Sequence, residues 1–252
     1  MKSVEYKINL ERYKNSIKNL EIEGDADKLE FNFEVLKDWS LFNSFEEIER
    51  WYKGVINKKE MTIEEIPIHE CKNWSVADDK IYHKSGEFFT ILGLRVKTDI
   101  RECKGGWDQP ILKQTGWDGG ILGILRKRFE GVPHYLVEAK SEPGNPNIVQ
   151  LSPTVQATFS NIKKAHEGST PNYLNFFQDS KEVKVHYKQW LSEDGGRLYN
   201  KRNLNMIVEV DEDQKIDIIN ENFRWMSLYQ IKKCCMKEAW VGQCLRSIIA
   251  HV

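Results

Sequence analysis

The sequence from residue 135 to residue 160, YLVEAKSEPGNPNIVQLSPTVQATFS, decides the fold of this chain. Residues 135–140 and 150–160 each alternate between two kinds of side chain, and the turn-forming run EPGNPN at 142–147 separates them. Successive side chains of an extended strand point to opposite faces of a sheet. The stretch therefore predicts two β-strands joined by a loop.

The first of these strands carries three charges on one face. A period of two places Glu138, Lys140 and Glu142 on the same side of the strand. A lysine between two carboxylates has two interpretations. The commoner one is a salt-bridge ladder on the surface of a sheet, and the other is an acid–base cluster with shifted pKa values. The pattern leaves both open.

The second strand is expected to have one face that is polar but uncharged. The side chains that share this face are Gln150, Ser152, Thr154, Gln156, Thr158 and Ser160. Amides and hydroxyls of this kind supply both donors and acceptors, which suit the hydroxyls and base edges of a sugar nucleotide. An ordinary solvated sheet face would show the same pattern, so both interpretations stand at this point.

Strand-like runs continue on either side of this stretch, at 88–97, 120–128, 183–188 and 204–210. Capping-box sequences predict one helix after Ser44, with Glu47, and another after Ser227, with Gln230. A helix, many strands and then helices predict an α+β domain, a mixed sheet flanked by helices. Residues 1–38 predict a helical N-terminal arm that packs onto a single domain formed by residues 39–252.

A short basic motif, KRNLN at 201–205, leads into the strand predicted near residue 204. The guanidinium fork of Arg202 matches phosphate oxygens in a bidentate way, which favours a diphosphate clamp. A solvated Lys–Arg pair is the commoner interpretation of so short a motif.

Composition argues against several classes of protein. Thirty-seven basic and 38 acidic residues leave a net charge of -1, so neither nucleic acid nor an anionic membrane is expected as a partner. The five cysteines form no C-x-x-C pair and suit a reducing compartment, which predicts a cytoplasmic location. The chain shows no apolar leader and no run of 18 apolar residues, so neither secretion nor a membrane span is expected.

Several familiar chemical motifs do not occur. The six histidines show no H-x-H and no H-E-x-x-H, so no local metal site is predicted. The sequence contains no G-x-G-x-x-G, no Walker loop and no G-x-S-x-G elbow, which removes the commonest signatures of nucleotide binding and hydrolysis. The function must therefore be sought in a less general pattern.

Seven segments, taken in order, resemble the NDP-hexose 2,3-dehydratase family and cover about residues 39–245. They are HKSGEFF at 83–89, WDQPI at 107–111, EPGN at 142–145, residues 150–161, EDGGR at 193–197, RNLNM at 202–206 and FRWMSLYQ at 223–230. The resemblance implies a Nudix-like α+β fold. It also implies loss of water across C2 and C3 of a TDP-linked 4-keto-6-deoxyhexose in deoxysugar biosynthesis, with no cofactor and with a downstream ketoreductase as a pathway partner.

The resemblance also implies roles for individual residues, and none of them is a metal ligand. The acid–base candidates are Glu142, Lys140 and His83. The substrate-binding candidates are Trp107 and Gln109 near the nucleotide, Lys201, Arg202 and Asn205 at the diphosphate, and Asn145, Gln150, Ser152, Thr154 and Gln156 at the hexose.

In one respect the chain departs from the family pattern. Members typically carry two such modules in a chain nearly twice as long, whereas this chain carries one. We expect a homodimer to recreate the pair. The alternatives are a non-catalytic module or subunit that binds a sugar nucleotide, and a dehydratase or isomerase that acts on a different NDP-keto sugar.

Overall fold

The computed structural model describes residues 2–20, 25–58, 60–100, 102–114, 119–158, 162, 170–178, 182–192 and 196–252. Within these ranges the α-helices are α1 (Lys2–Asn19), α2 (Ala26–Glu34), α3 (Phe45–Lys58), α4 (Leu228–Cys235) and α5 (Gln243–Ile249). The strands are β1 (Trp74–Val76), β2 (Lys80–His83), β3 (Phe89–Val96), β4 (Trp107–Gln114), β5 (Gly120–Phe129), β6 (Val132–Ser141), β7 (Val149–Ser152), β8 (Val155–Ala157), β9 (Val183–Ser192), β10 (Arg202–Val210) and β11 (Phe223–Met226).

The larger of two sheets forms the centre of the molecule, in the order β11-β6-β5-β10-β9. Strands β5 and β10 are parallel, and the other neighbours in this order are antiparallel. One face packs against α3, α4 and α5, and the other packs against the short 3-10 helix Leu174–Phe177. Cover on both faces explains why β5 and β6 are buried along most of their length. The expected α+β class with a mixed sheet is confirmed.

The larger sheet splits where β5 and β6 diverge. Strand β7 pairs with β6 on one side of the split, and β8 pairs with β5 on the other. Thr154 lies at the apex, where its hydroxyl accepts the N–H of Leu125 at 2.8 Å and donates to the carbonyl oxygen of Leu136 at 2.5 Å. One side chain therefore satisfies both backbone groups that the split would leave without partners.

The single polar strand predicted over 150–160 is wrong for the residues that the structure describes. Pro153 has no N–H to donate to a ladder, and at this point the chain leaves β6 and joins β5. The change reverses the faces: Val149 and Leu151 lie in the core beneath the helices, whereas Val155 and Ala157 lie in the opposite core. Gln150 and Gln156 consequently lie on different faces of the sheet, and residues 159–160 are outside the described ranges.

The Thr154→Val variant should test the role of the hydroxyl at the split. Valine keeps the shape of the side chain but leaves the Leu125 N–H and the Leu136 carbonyl unpaired in the core. We expect a loss of about 2–4 kcal/mol in the free energy of unfolding. Urea denaturation would measure it, with Thr62→Val at an exposed position as the matched control. A loss no larger than that of the control would contradict the assigned role.

Helices α1 and α2 form the helical arm and pack against the beginning of β6. Tyr6, Leu10, Phe33, Trp39 and Val132 make up their shared apolar core. The arm is therefore helical, as expected, whereas the expected boundary between residues 38 and 39 stays a prediction.

A buried network of charges joins α2 to the larger sheet. The Arg126 guanidinium lies 2.7 Å from Oε1 of Glu34 and 3.5 Å from Oε2 of Glu30, and it also contacts Glu209 of β10. Arg128 donates two further bonds of 2.8 Å to Glu30. Because each buried charge faces an opposite one, the group is tolerated in the interior.

His134 links the arm to the domain through a neutral ring. Its Nε2 accepts the N–H of Leu41 at 3.0 Å, and its Nδ1 lies 3.0 Å from the carbonyl oxygen of Val132. The proton must therefore be on Nδ1, and a second proton on Nε2 would oppose the Leu41 N–H. Burial lowers the pKa of His134 to about 4.

This lowered pKa predicts a loss of stability in acid. The folded pKa of about 4 lies below the ordinary histidine value, so the stabilisation is complete above about pH 6.5 and is lost as the pH falls toward 4. We expect His134 to contribute about 2 kcal/mol to the fall in unfolding free energy between pH 7 and pH 5. Urea titrations of wild type and His134→Gln would measure the difference, and parallel pH profiles would contradict it.

The smaller sheet is antiparallel and runs in the order β1-β2-β3-β4. Of its strands the sequence predicted only β3. Ile111 is the buried residue in its strands, and the other positions are half-buried or exposed. The sheet joins the body where Leu112 bridges to Leu198 and where the Tyr199 N–H donates to the Leu112 carbonyl oxygen at 2.7 Å.

Both predicted capping boxes are confirmed. At α3 the Glu47 N–H donates to Ser44 Oγ at 3.3 Å and the Ser44 N–H donates to Glu47 at 2.7 Å. Ser227 and Gln230 make the same reciprocal pair at α4. No helix in the described ranges combines the length and the apolar character needed to cross a bilayer.

Candidate active site

A group of polar side chains lies at the open end of the split. Its members, here called the β6 cluster, are Glu138, Lys140, Glu142 and Gln156. Lys140 Nζ is 3.5 Å from Glu142 Oε1, and the Gln156 amide donates to the same oxygen at 2.9 Å. The side chains of Lys140 and Glu142 are 25% and 35% exposed, so a solute can reach them. The structure thus brings three sequence-predicted residues together.

A tight turn fixes the position of Glu142. The Glu142 N–H donates to the carbonyl oxygen of Ile148 at 2.8 Å, and the Asn145 N–H donates to the Glu142 carbonyl oxygen at 3.1 Å. The Asn145 side-chain amide donates to Ile148 as well, at 3.2 Å. Gln150 donates its amide to the carbonyl oxygen of Ala239 at 2.9 Å, which ties β7 to the segment between α4 and α5. Asn145 and Gln150 therefore lie near the cluster and help to shape it.

Glu138 belongs to this site, although it was not among the sequence-predicted site residues. It lies two positions before Lys140 on the same face of β6, opposite Ser152 and Phe223 on the neighbouring strands. Burial raises the pKa of its carboxyl, the charge of Lys140 lowers it, and the charge of Glu142 raises it. The strand period had already placed these charges together, but the degree of burial was not visible in the sequence.

Three predicted substrate-binding residues are closed off from solvent. Ser152 and Thr154 are 4% and 2% exposed, and the Thr154 hydroxyl is engaged by the backbone at the split. Asn205 is 1% exposed. Its amide donates to the carbonyl oxygen of Asn203 at 3.0 Å, and it accepts the Ser247 hydroxyl of α5 at 2.8 Å. The structure does not bring these side chains to an open surface.

The two basic residues at the start of β10, Lys201 and Arg202, differ in exposure. Lys201 is 3% exposed, whereas Arg202 is half-buried and places its guanidinium over the Trp190 ring at 5.2 Å from the centroid. Trp190 is 40% exposed. An arginine placed over an aromatic ring still presents N–H groups at the edge of its guanidinium, where an anion can bind.

The remaining predicted residues lie on the smaller sheet. His83 accepts the N–H of Ser85 at 3.2 Å, and its Nδ1 lies 2.7 Å from the Ser85 hydroxyl oxygen. It borders a groove of about 390 Å³. Trp107 donates its indole N–H to Gln109 at 2.6 Å. The structure thus assigns His83 to a different sheet from Lys140 and Glu142, and it brings Trp107 and Gln109 together.

Comparison with known proteins identifies the family of this chain. Residues 45–252 match the model of the family described as NDP-hexose 2,3-dehydratase. The chain belongs to this family. The match includes the β6 cluster, Arg202 and the smaller sheet, and it begins after helices α1 and α2.

Relatives within the NDP-hexose 2,3-dehydratase family support the same assignment. The chain is 36% identical over 204 residues to a dTDP-4-dehydro-6-deoxy-alpha-D-glucopyranose 2,3-dehydratase of Saccharopolyspora spinosa, which covers 80% of this chain and 41% of that protein. An enzyme of the same name from Streptomyces violaceoruber is 42% identical over 64% of this chain and 35% of its own length. The chain therefore spans less than half the length of the curated relatives that it matches.

Solved structures similar to this family member include an Ap4A hydrolase of C. elegans, at 10% identity and a TM-score of 0.32 over 56% of this chain and 98% of that chain. A Nudix hydrolase of M. smegmatis is 12% identical, with a TM-score of 0.33 over 63% of this chain and 96% of that chain. Likeness of this degree supports no statement about activity. Among the described residues, no three His, Cys, Asp or Glu side chains are grouped to hold a metal ion.

Proposed function

We propose that the chain is a lyase that removes water across C2 and C3 of a TDP-linked 4-keto-6-deoxyhexose in deoxysugar biosynthesis. The observation that carries this proposal is the contact of Lys140 and Gln156 with one oxygen of Glu142, in a chain that belongs to the NDP-hexose 2,3-dehydratase family. A fixed, accessible carboxylate beside an ammonium group is what the first step of such an elimination needs.

Glu142 is the proposed base. The 4-ketone makes the C3 proton acidic, because the carbanion formed is stabilised as an enolate. A carboxylate whose orientation is set by the Gln156 amide can remove that proton, and the Lys140 ammonium can stabilise negative charge that develops on the substrate. The enolate then expels the C2 hydroxyl, and the enol product tautomerises to a 3,4-diketone.

The proposed binding roles follow the placement of each side chain. Arg202 would hold the diphosphate, and Trp107 and Gln109 would contact the nucleotide. Asn145, Gln150 and Gln156 would orient the hexose. We leave Lys201, Ser152, Thr154 and Asn205 out of the proposed substrate contacts because all four side chains are buried. His83 would act only if substrate or a second subunit connected the smaller sheet to the β6 cluster.

We also propose two partners and a cytoplasmic location for the protein. A ketoreductase would consume the reactive diketone, and a homodimer would supply the second module implied by the length of the relatives. The free thiols of the cysteines suit the reducing cytoplasm.

A second candidate is a module or subunit that binds the sugar nucleotide without turning it over. The observation in its favour is that the chain spans only 41% of the Saccharopolyspora relative. Incubating the protein with TDP-4-keto-6-deoxyglucose and a ketoreductase, and then assaying for a 2-deoxy product, separates the two. Tight nucleotide binding without product would favour the binding module.

A further inference from the structure

Glu138 lies in the candidate active site but has no role in the proposed removal of the C3 proton. Its carboxyl is half-buried on the face of β6 that also carries Lys140 and Glu142. In the described part of the chain no hydrogen-bond donor contacts its oxygens. Glu142, in contrast, accepts a hydrogen bond from the Gln156 amide and lies 3.5 Å from the Lys140 ammonium. Two carboxyl groups of one site thus have opposite surroundings.

These surroundings favour different chemical roles for the two carboxyl groups. Burial, followed by the nearby charge of Glu142, raises the pKa of Glu138, and the charge of Lys140 only partly offsets this. A carboxyl group that is drier and has no hydrogen-bond donor on its oxygens is the better proton donor of such a pair. An elimination needs one group of each kind, a base for the C–H bond and an acid for the C–O bond.

Two other titratable side chains near Glu138 in the described part of the chain, Lys140 and Tyr173, are already engaged. Lys140 is paired with Glu142. The Tyr173 hydroxyl, whose ring packs against Phe223 opposite Glu138, donates to the Asp217 carbonyl oxygen at 2.8 Å and accepts the Ile219 N–H at 3.3 Å. The backbone of Tyr173 is in the left-handed region, at φ 61°, which makes this side of the site a strained one.

We propose that Glu138 is the general acid that protonates the departing C2 hydroxyl, an inference that rests on the proposed function. Glu142 takes the C3 proton, and the electrons of the C3–H bond form an enolate with the 4-ketone. The enolate electrons then form the C2–C3 double bond as the C2–O bond breaks. The proton of Glu138 passes to the leaving oxygen, which departs as water. The step ends with Glu142 protonated and Glu138 ionised, and exchange with solvent restores both.

The two roles can be separated because removal of the C3 proton does not require loss of the hydroxyl. The Glu138→Gln variant should lose water elimination by about 10²- to 10⁴-fold, yet still exchange the C3 proton in D2O. It should also turn over the 2-deoxy-2-fluoro analogue of the substrate within about threefold of the wild-type rate, because fluoride leaves with little need of a proton. NMR follows all three reactions. Glu64→Gln, at an exposed position, is the matched control.

Each outcome decides the matter. Glu138→Gln that eliminates water within threefold of wild type would overturn the inference. Loss of C3 exchange and of fluoride release in the same variant would also overturn it, because the residue would then act in the first step or in folding, and its affinity for TDP would tell these apart. If wild-type protein neither exchanges the C3 proton nor eliminates water, the proposed function fails, and the inference fails with it.

Discussion

The Glu142→Gln variant is expected to lose water elimination by about 10²- to 10⁴-fold while its affinity for TDP stays unchanged. Glutamine has the shape of glutamate and can still accept the Gln156 amide, so the turn at 142–148 should persist. What it loses is the basic oxygen that would remove the C3 proton. The coupled assay with a ketoreductase measures the rate, and a titration with TDP measures the affinity.

Proton exchange at C3 extends this test. Glu142→Gln should lose exchange together with elimination, because both require removal of the same proton. The Gln156→Leu variant should lower the rate less, since it removes only the amide that orients the carboxylate at 2.9 Å. Retained elimination in Glu142→Gln would remove this residue from the candidates and would leave Lys140 or His83 to be tested as the base.

The sequence predicted the parts of the fold that depend on local pattern. Alternation located β6, strand-like runs located β5 and β10, and capping boxes located the starts of α3 and α4, because neighbouring residues determine these features. The break at Pro153 was not predicted. A proline alone does not show that the chain moves to another strand, and the hydroxyl of Thr154 that closes the split bonds to Leu125 and Leu136, which are distant in sequence.

In the candidate site too, contacts between residues close in sequence could be predicted, and contacts between distant residues could not. The Lys140–Glu142 contact lies within one strand and its turn, so a period of two was enough to suggest it. The bond from Gln156 to Glu142 depends on the split, and the raised pKa of Glu138 depends on burial beneath other segments. Asn205 shows the opposite case: its motif suggested a ligand contact, but α5 covers it.

The buried charges of the arm were not predicted from the sequence. Glu30 and Glu34 lie in a stretch rich in charge, which usually means a solvated surface. Their partner Arg126 is more than 90 residues away, on a strand whose other residues are mainly apolar. Only the packed structure shows that the two glutamates are 6% and 2% exposed and face a guanidinium.

The Arg126→Met variant is expected to lower the free energy of unfolding by about 3–5 kcal/mol. Methionine fills much of the space, but it leaves the carboxylate of Glu34 without the charge that compensates its burial, and Glu209 keeps only its contacts with Arg128 and His186. Urea denaturation measures the loss. Arg95→Met is the matched control, because its ion pair with Asp108 is 73% and 61% exposed and should be worth less than about 1 kcal/mol.

A second substitution distinguishes lost charge from lost packing. If unpaired carboxylates cause the loss, Glu34→Met added to Arg126→Met should recover part of the stability, since an apolar pair can replace a buried ion pair. If the pair of substitutions is simply additive, packing is the cause. The result also bears on the arm: its glutamates neutralise an arginine of the family domain, so α2 should unfold together with the sheet, and the arm and the domain should show one shared transition.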